Sequence, residues 1–359
     1  MNIHLVKDSE NEWLTAITIS LILIIVGLLI GILSSSHLNI NHAANAHYQL
    51  NQTSKLDFLA NWDGARYLSI AKNGYNNQFI TGWLPLYPLL IRFVHLIINS
   101  YLISGLIISW ISLIGALYFY QKIIKIVFNT TNNMDSLKAT LLFGLFPSGV
   151  YLLAVYTESL FACLALGAIY YALKSRYIVA ALLTMFATAT HINGVFILIF
   201  IALILWERKE KLFNILIGLA IGSLGIVSYM LYLYLKFNNA LDYVTAQKDH
   251  GWLHKSIFSH LSSFGILNGI LALLIIACVI FWWNRKRSFS IYSMFYLLIP
   301  LVGGQLGGYL RYVMVAFPLE FMIYDLLKRS RYAYGIVISL FVVSWIYILI
   351  RFSTGYIIG

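Results

Sequence analysis

The run from Leu14 to Leu33 reads L-T-A-I-T-I-S-L-I-L-I-I-V-G-L-L-I-G-I-L and contains no charged residue. At about 1.5 Å of rise per residue, a helix of this length crosses roughly 30 Å, the thickness of a bilayer's hydrocarbon core. In lipid every backbone N–H and C=O must be satisfied within its own element, so such a run is a helix or a barrel strand, and its length selects the helix. Composition extends the argument to the whole chain. Hydrophobic residues make up 60% and charged residues 10% of the 359, with a mean hydropathy of +0.81. A water-soluble fold of that composition would expose large apolar patches. The expected fold class is all-α, a polytopic membrane protein forming one integral domain over residues 1–359.

The Leu14–Leu33 run exceeds a signal-peptide core, and polar Ser34, Ser35, Ser36 and His37 follow it without a small-residue cleavage site. It is expected to be a retained signal anchor. Further spans are expected at about 101–121, 138–155, 159–173, 178–190, 194–206, 212–235, 264–283, 289–306, 312–327 and 333–350, giving about ten or eleven crossings. The short segments on either side of 191–194 read either as a hairpin of half-helices or as one broken helix. Basic clusters at Lys122/Lys125, Lys174/Arg176, Arg208/Lys209/Lys211, Arg285–Arg287 and Lys328/Arg329/Arg331 fall on one side if the spans alternate, which makes that side cytoplasmic. The net charge of +11 therefore reports orientation, and nucleic acid is not an expected partner. The opposite face receives two long loops, about 35–100 and 237–263. Cys163 and Cys278 lie in apolar runs and read as small hydrophobes.

Only thirteen acidic residues need placing. Asp8, Glu10, Glu12, Asp135, Glu207 and Glu210 fall to the cytoplasmic side as ordinary loop or helix-end charges. Glu320 and Asp325 lie beside Lys328 and Arg329, where pairing or snorkelling accounts for them. The outer face keeps Asp57, Asp63, Glu158, Asp242 and Asp249. Asp63 opens a stretch whose apolar positions 67, 68, 70 and 71 suit a short amphipathic helix ended by Gly74. There it is either a helix-capping residue or a chemical group. The aromatic, proline-rich segment Trp83–Arg92 suits a re-entrant or interfacial position at headgroup depth. Glu158 separates two spans joined by a very short turn, close to bilayer depth, where an unpartnered carboxylate is costly; a capping role is the alternative.

These residues carry a resemblance. Trp62-Asp63-Gly64 through Gly74-Tyr75, then Leu84-Pro85-Leu86-Tyr87-Pro88-Leu89-Leu90-Ile91-Arg92, resemble the W-D-x-x-x-Y-x-x-I-A-x-x-G-Y and F-P-L-Y-P-L-x-x-R segments of PIG-V-like mannosyltransferases. Tyr156-Thr157-Glu158-Ser159-Leu160-Phe161 is similar to the family's Y-[ST]-E-S-L-F segment. Thr190-His191-Ile192-Asn193-Gly194 resembles its T-R-x-N-G turn, with His191 in place of arginine, and Arg311-Tyr312 with Phe317-Pro318-Leu319 resembles the late R-Y…F-P-L segment of bacterial members. The resemblance spans residues 55 to 325 in the expected order. It implies a GT-C membrane glycosyltransferase that uses a polyprenyl-phosphate sugar, with its active site on the outer face and a catalytic Asp in the first outer loop. A lipid or glycan acceptor and membrane lipids are the other implied partners. Richness in Ile, Asn and Lys points to a bacterial plasma membrane.

Transfer from a lipid phosphate needs a base for the acceptor hydroxyl, donors for the phosphate leaving group and an apolar groove for the prenyl chain. Asp63 is the expected general base, giving single displacement with inversion, and Glu158 is the second candidate catalytic carboxylate. Arg66, His191, Lys248 and Arg311 are candidate phosphate partners; the turn and R-Y resemblances add Asn193 and Tyr312. Gln247 and Trp252, in a second-loop stretch similar to the family's Q-x-x-x-W, are candidate sugar contacts, an interfacial tryptophan anchor being the alternative. His250 and His254 have metal-pair spacing but no intervening Glu or obvious third ligand, so neither metal nor cofactor is expected. A transporter or flippase would instead show midplane charges and repeat symmetry. A non-catalytic scaffold would keep the fold without the chemistry.

Overall fold

The computed structural model describes residues 10–41, 54–250, 266–302 and 309–356, and among these every regular element is helical. α1 is Glu10–His37, α2 Asp63–Asn73, α3 Leu86–Ile98, α4 Tyr101–Phe128, α5 Asn133–Gly144, α6 Val150–Leu153 and α7 Glu158–Leu173. Then come α8 Tyr177–Thr190, α9 Gly194–Glu207, α10 Leu212–Phe237, α11 Asp242–Asp249, α12 Ile266–Trp283, α13 Arg287–Val302, α14 Tyr309–Met314, α15 Phe317–Leu327 and α16 Arg331–Ser353. Short 3-10 turns occupy Asp57–Ala60 and Gln78–Gly82. The helices α1, α4, α10 and α16 are each long and apolar enough to cross a membrane. The other expected spans are present as shorter helices.

Two of them are interrupted. The 138–155 run splits into α5 and α6 around Pro147, whose ring cannot donate to the preceding turn and collides with it. The 312–327 run splits into α14 and α15 just before Pro318, which sits in the first turn of α15, where its missing N–H costs nothing. The ambiguous pair resolves as a hairpin, α8 and α9 folding back on each other. Gly194 makes the turn possible, because a Cβ there would stand 2.6 Å from the Ala187 carbonyl oxygen.

The chain forms two compact units. The first comprises Met1–Lys72, Tyr87–Tyr170 and Ile323–Ile358; the second comprises Asn73–Leu86 and Tyr171–Met322. In the first, α1 packs on α4, α5 and α16. Glu12, expected to be an ordinary end charge, is buried there and shared by two buried lysines: its carboxylate lies 2.5 Å from Lys122 Nζ and 2.7 Å from Lys125 Nζ. The start of α1 and the end of α4 thus share one end of the unit. Asp325, not Glu320, pairs with Lys328 at 2.5 Å, while Glu320 is buried near Tyr292 in the second unit. The two carboxylates sit five positions apart in the chain, far enough around α15 to face different surroundings.

In the second unit α8 lies against α10 at small-residue contacts. A Cβ on Gly225 would overlap the Met185 carbonyl, and Thr188 Oγ1 donates to the Gly222 carbonyl at 2.9 Å. Glu207, another supposed end charge, accepts from Ser288 N–H and from its hydroxyl at 2.7 Å, capping α13. α3 is amphipathic within the protein: Tyr87 and Ile91 are buried, whereas Leu89, Phe93, Leu96 and Ile97 are exposed.

Candidate functional site

Asp63 is the first residue of α2, a helix that buries Tyr67, Leu68, Ile70 and Ala71, the apolar positions legible in the sequence. Its stop is also as expected: Gly74 has φ +70°, a conformation costly for any residue with a Cβ. Immediately before Asp63 the chain makes a tight turn through Trp62, at φ +59°. The turn is tied to the segment that precedes α7. Tyr156 Oη donates to the Asn61 carbonyl at 2.9 Å and accepts the Asp63 N–H at 3.2 Å. Val155 N–H donates to the Leu59 carbonyl at 2.8 Å, and Asn61 Nδ2 donates to the Phe352 carbonyl at 2.9 Å.

One turn of helix further on, the Tyr67 hydroxyl is 3.4 Å from Thr157 Oγ1, which in turn donates to the Glu158 carboxylate at 3.5 Å. Tyr67 also packs edge-on against Tyr87 of α3, whose hydroxyl lies 2.7 Å from Ser109 Oγ. Glu158 is buried, at the first position of α7, where the helix dipole favours a carboxylate. Asp63 is only partly buried, and Arg66 is exposed. The first unit therefore brings together the segments that carry two sequence-predicted carboxylates, Asp63 reachable and Glu158 enclosed.

The second unit gathers other candidates. The rings of His191 and Tyr312 are 5.8 Å apart, and the Arg311 guanidinium is close enough to act on the imidazole. Asn193 is buried and donates through Nδ2 to the Tyr296 hydroxyl at 2.9 Å, while its N–H donates to His191 Nδ1 at 3.2 Å. That bond assigns the proton of neutral His191 to Nε2. Tyr243 of α11 neighbours Tyr312. In the same unit Gln247 Nε2 is engaged by the Gly82 carbonyl at 3.0 Å, Asp242 accepts from Thr81 Oγ1 at 3.1 Å, and Tyr229 donates to the Thr81 carbonyl at 2.8 Å. Lys248 is exposed. Trp252 and His254 lie outside the described residues. Among the described residues no group of three or more His, Cys, Asp or Glu side chains is placed to hold a metal.

Residues 15–265 match the family described as Mannosyltransferase (PIG-V). The chain belongs to this family. GPI mannosyltransferase 2 of Schizosaccharomyces pombe is 31% identical over 144 residues, a stretch that covers 39% of this chain and 30% of that protein. The crystal structure of the oligosaccharyltransferase of Archaeoglobus fulgidus, in complex with Zn and sulfate, aligns with a TM-score of 0.47 at 12% identity. The alignment covers 94% of this chain and 53% of that one. The chain thus spans less than a third of the curated relative's length and about half that of the solved structure.

In this PIG-V family member the W-D and Y-T-E-S stretches, well separated in sequence, are in direct contact within the first unit. Sequence reasoning missed Tyr156, Asn61 and Tyr67 as residues that tie the two carboxylate-bearing segments together. The available signal was that Tyr156 and Tyr67 fall inside the quoted motifs; the left-handed turn at Trp62, which Gly64 N–H closes onto the Asn61 carbonyl at 3.2 Å, had no local signature because tryptophan is not a residue that favours positive φ. Tyr296 was missed for a different reason, being one aromatic among many in an apolar helix.

His191 differs from the arginine usual in the family, and its environment makes it neutral. Loss of hydration, followed by the nearby Arg311 charge, pushes the imidazole from its ordinary 6.5 down to about 3. The unfolded chain takes up a proton below 6.5 that the folded chain refuses, so stability is complete above 6.5 and falls as pH drops towards about 3. The melting temperature of the detergent-solubilised protein is expected to decline between about pH 7 and about pH 4, and His191→Gln to flatten that decline. Equal slopes for the two proteins would show that His191 is not held neutral.

Proposed function

We propose that this protein transfers mannose from a polyprenyl-phosphate donor to a lipid or cell-surface glycan acceptor, on the extracytoplasmic face of a bacterial plasma membrane. The observation that carries the reading is the state of Asp63: a partly exposed carboxylate on the first turn of a short helix, whose backbone is anchored by a buried tyrosine. Such a group is reachable by an acceptor and held in place, as a general base must be. Family membership supplies the reaction class.

The chemistry is a single displacement of the GT-C type. Asp63 takes the proton of the acceptor hydroxyl as its oxygen bonds to C1 of the sugar. The bond from C1 to the phosphate oxygen breaks on the opposite side, so the configuration inverts and the polyprenyl phosphate leaves with the electron pair. Glu158, enclosed and linked through Thr157 to Tyr67, stabilises the surroundings of the reacting helix. Arg311, beside neutral His191 and Tyr312, binds the phosphate; a neutral imidazole leaves that guanidinium's charge free of a cationic rival. Arg66, Lys248, Asn193, Gln247 and Trp252 remain candidate substrate contacts.

The test is transfer of labelled mannose from polyprenyl-phosphate-mannose to endogenous acceptors in membranes with and without the protein. Incorporation that depends on the protein supports the reading. Its absence, in membranes shown to contain folded protein and a range of donors and acceptors, would favour a transporter or a scaffold. Arg311→Ala is expected to raise the donor KM by about tenfold or more with a smaller change in kcat. An unchanged KM and kcat would remove Arg311 from the phosphate site.

A further inference from the structure

Trp62 occupies a left-handed conformation, φ +59°, which is costly for a residue with a Cβ and needs support. Both peptide groups flanking it converge on one atom, Tyr156 Oη, which donates to Asn61 C=O at 2.9 Å and accepts Asp63 N–H at 3.2 Å. Tyr156 is 1% exposed and Asn61 fully buried, so water does not substitute for these bonds. Close approach is part of the same arrangement. A Cβ on Gly64 would stand 3.2 Å from the Val155 carbonyl oxygen and 3.6 Å from Tyr156 Cε2. Because Asp63 is the first residue of α2, the geometry of this turn sets the direction in which its carboxylate leaves the helix.

We propose that Tyr156 is a positioning residue for Asp63: its hydroxyl pins the left-handed Asn61-Trp62-Asp63 turn and thereby aims the carboxylate, without itself touching substrate. The proposal rests on the reading of Asp63 as the base. Removing the hydroxyl takes one bond from each flanking peptide group; the Asn61 carbonyl keeps the Gly64 N–H at 3.2 Å, so the turn stays closed while the strained Trp62 backbone relaxes and Asp63 shifts. A displacement of the base by about 1 Å is enough to cost a reaction as much as about 10²-fold.

The test compares Tyr156→Phe, Gly64→Ala and Asp63→Asn in the labelled-mannose assay, with the folded fraction read by size-exclusion chromatography and thermal melting. Tyr156→Phe is expected to lower kcat by about tenfold or more, with donor KM within about twofold and the melting curve little changed. Gly64→Ala keeps the hydroxyl but presses α2 away from residues 155 and 156, and is expected to give the same split. It remains informative if Tyr156→Phe folds poorly. If Asp63→Asn is inactive while both other variants turn over normally, the positioning role is overturned and the base stands. Activity that falls only in step with the folded fraction, or a rise in KM in place of a fall in kcat, also overturns it. Full activity of Asp63→Asn would instead strike the base reading itself.

Discussion

Asp63→Asn is expected to lower mannose transfer by about 10²–10⁴-fold, the contribution of a positioned general base, while the protein still inserts and folds. The asparagine amide has nearly the same shape but no basicity, so the acceptor hydroxyl keeps its proton as the new bond forms. Folding is spared because the contact that anchors this residue is made by its main-chain N–H to Tyr156, which the substitution leaves in place. The side chain is only partly buried, so the amide is not forced into an enclosed site. Initial rates, normalised to the amount of folded protein in the membrane, measure the effect. Normal turnover by the variant would sink the assignment, and Glu158 would become the carboxylate to examine.

Glu12→Gln is expected to destabilise the protein by about 3–5 kcal/mol, the range seen when one partner of a buried ion pair is removed. Glu12 is the shared counter-charge of Lys122 and Lys125, and all three side chains are about 3–4% exposed. With an amide at position 12 both enclosed ammonium groups would lose the carboxylate they share; Lys125 would keep the Asn133 side-chain oxygen at 2.8 Å. A large fall in the melting temperature of the solubilised protein, with unchanged kinetic constants for the fraction that remains folded, is the expected outcome. Adding Lys122→Met should restore part of the loss by removing one of the two ammonium groups that share Glu12. A melting temperature equal to that of the wild type would mean that the lysines reach water or lose their protons at little cost.

Much of the fold was legible because lipid leaves the backbone few choices. Helices that must satisfy their own hydrogen bonds announce themselves as apolar runs, and α1, α4, α10 and α16 lie where such runs predict. Local chemistry also marked α2, its buried stripe at 67, 68, 70 and 71 and its stop at Gly74. The breaks at Pro147 and Pro318 were visible as prolines but were read through, because apolar composition alone carries no penalty for an interrupted helix. Of the candidate site, the sequence supplied Asp63, Glu158, His191 and Arg311 as residues of interest, and the ordered motifs supplied the family, which the match over residues 15–265 bears out.

What the sequence could not supply was who holds whom. Tyr156 meets Asn61 across 95 positions, Lys125 meets Glu12 across 113, and Thr81 meets Asp242 across 161. Hydropathy and periodicity describe how a residue relates to its own helix; a hydrogen bond or ion pair between distant segments has no period and leaves no such trace. The same separation explains Glu12, which sequence placed among ordinary end charges and folding enclosed between two lysines. The sequence by itself determined that this chain is a helical membrane protein carrying an aspartate at the head of a short amphipathic helix. Only the tertiary structure decided that the aspartate stands on a left-handed turn pinned by a tyrosine, because the peptide groups on both sides of Trp62 meet a hydroxyl 93 to 95 positions away, a contact with no local pattern.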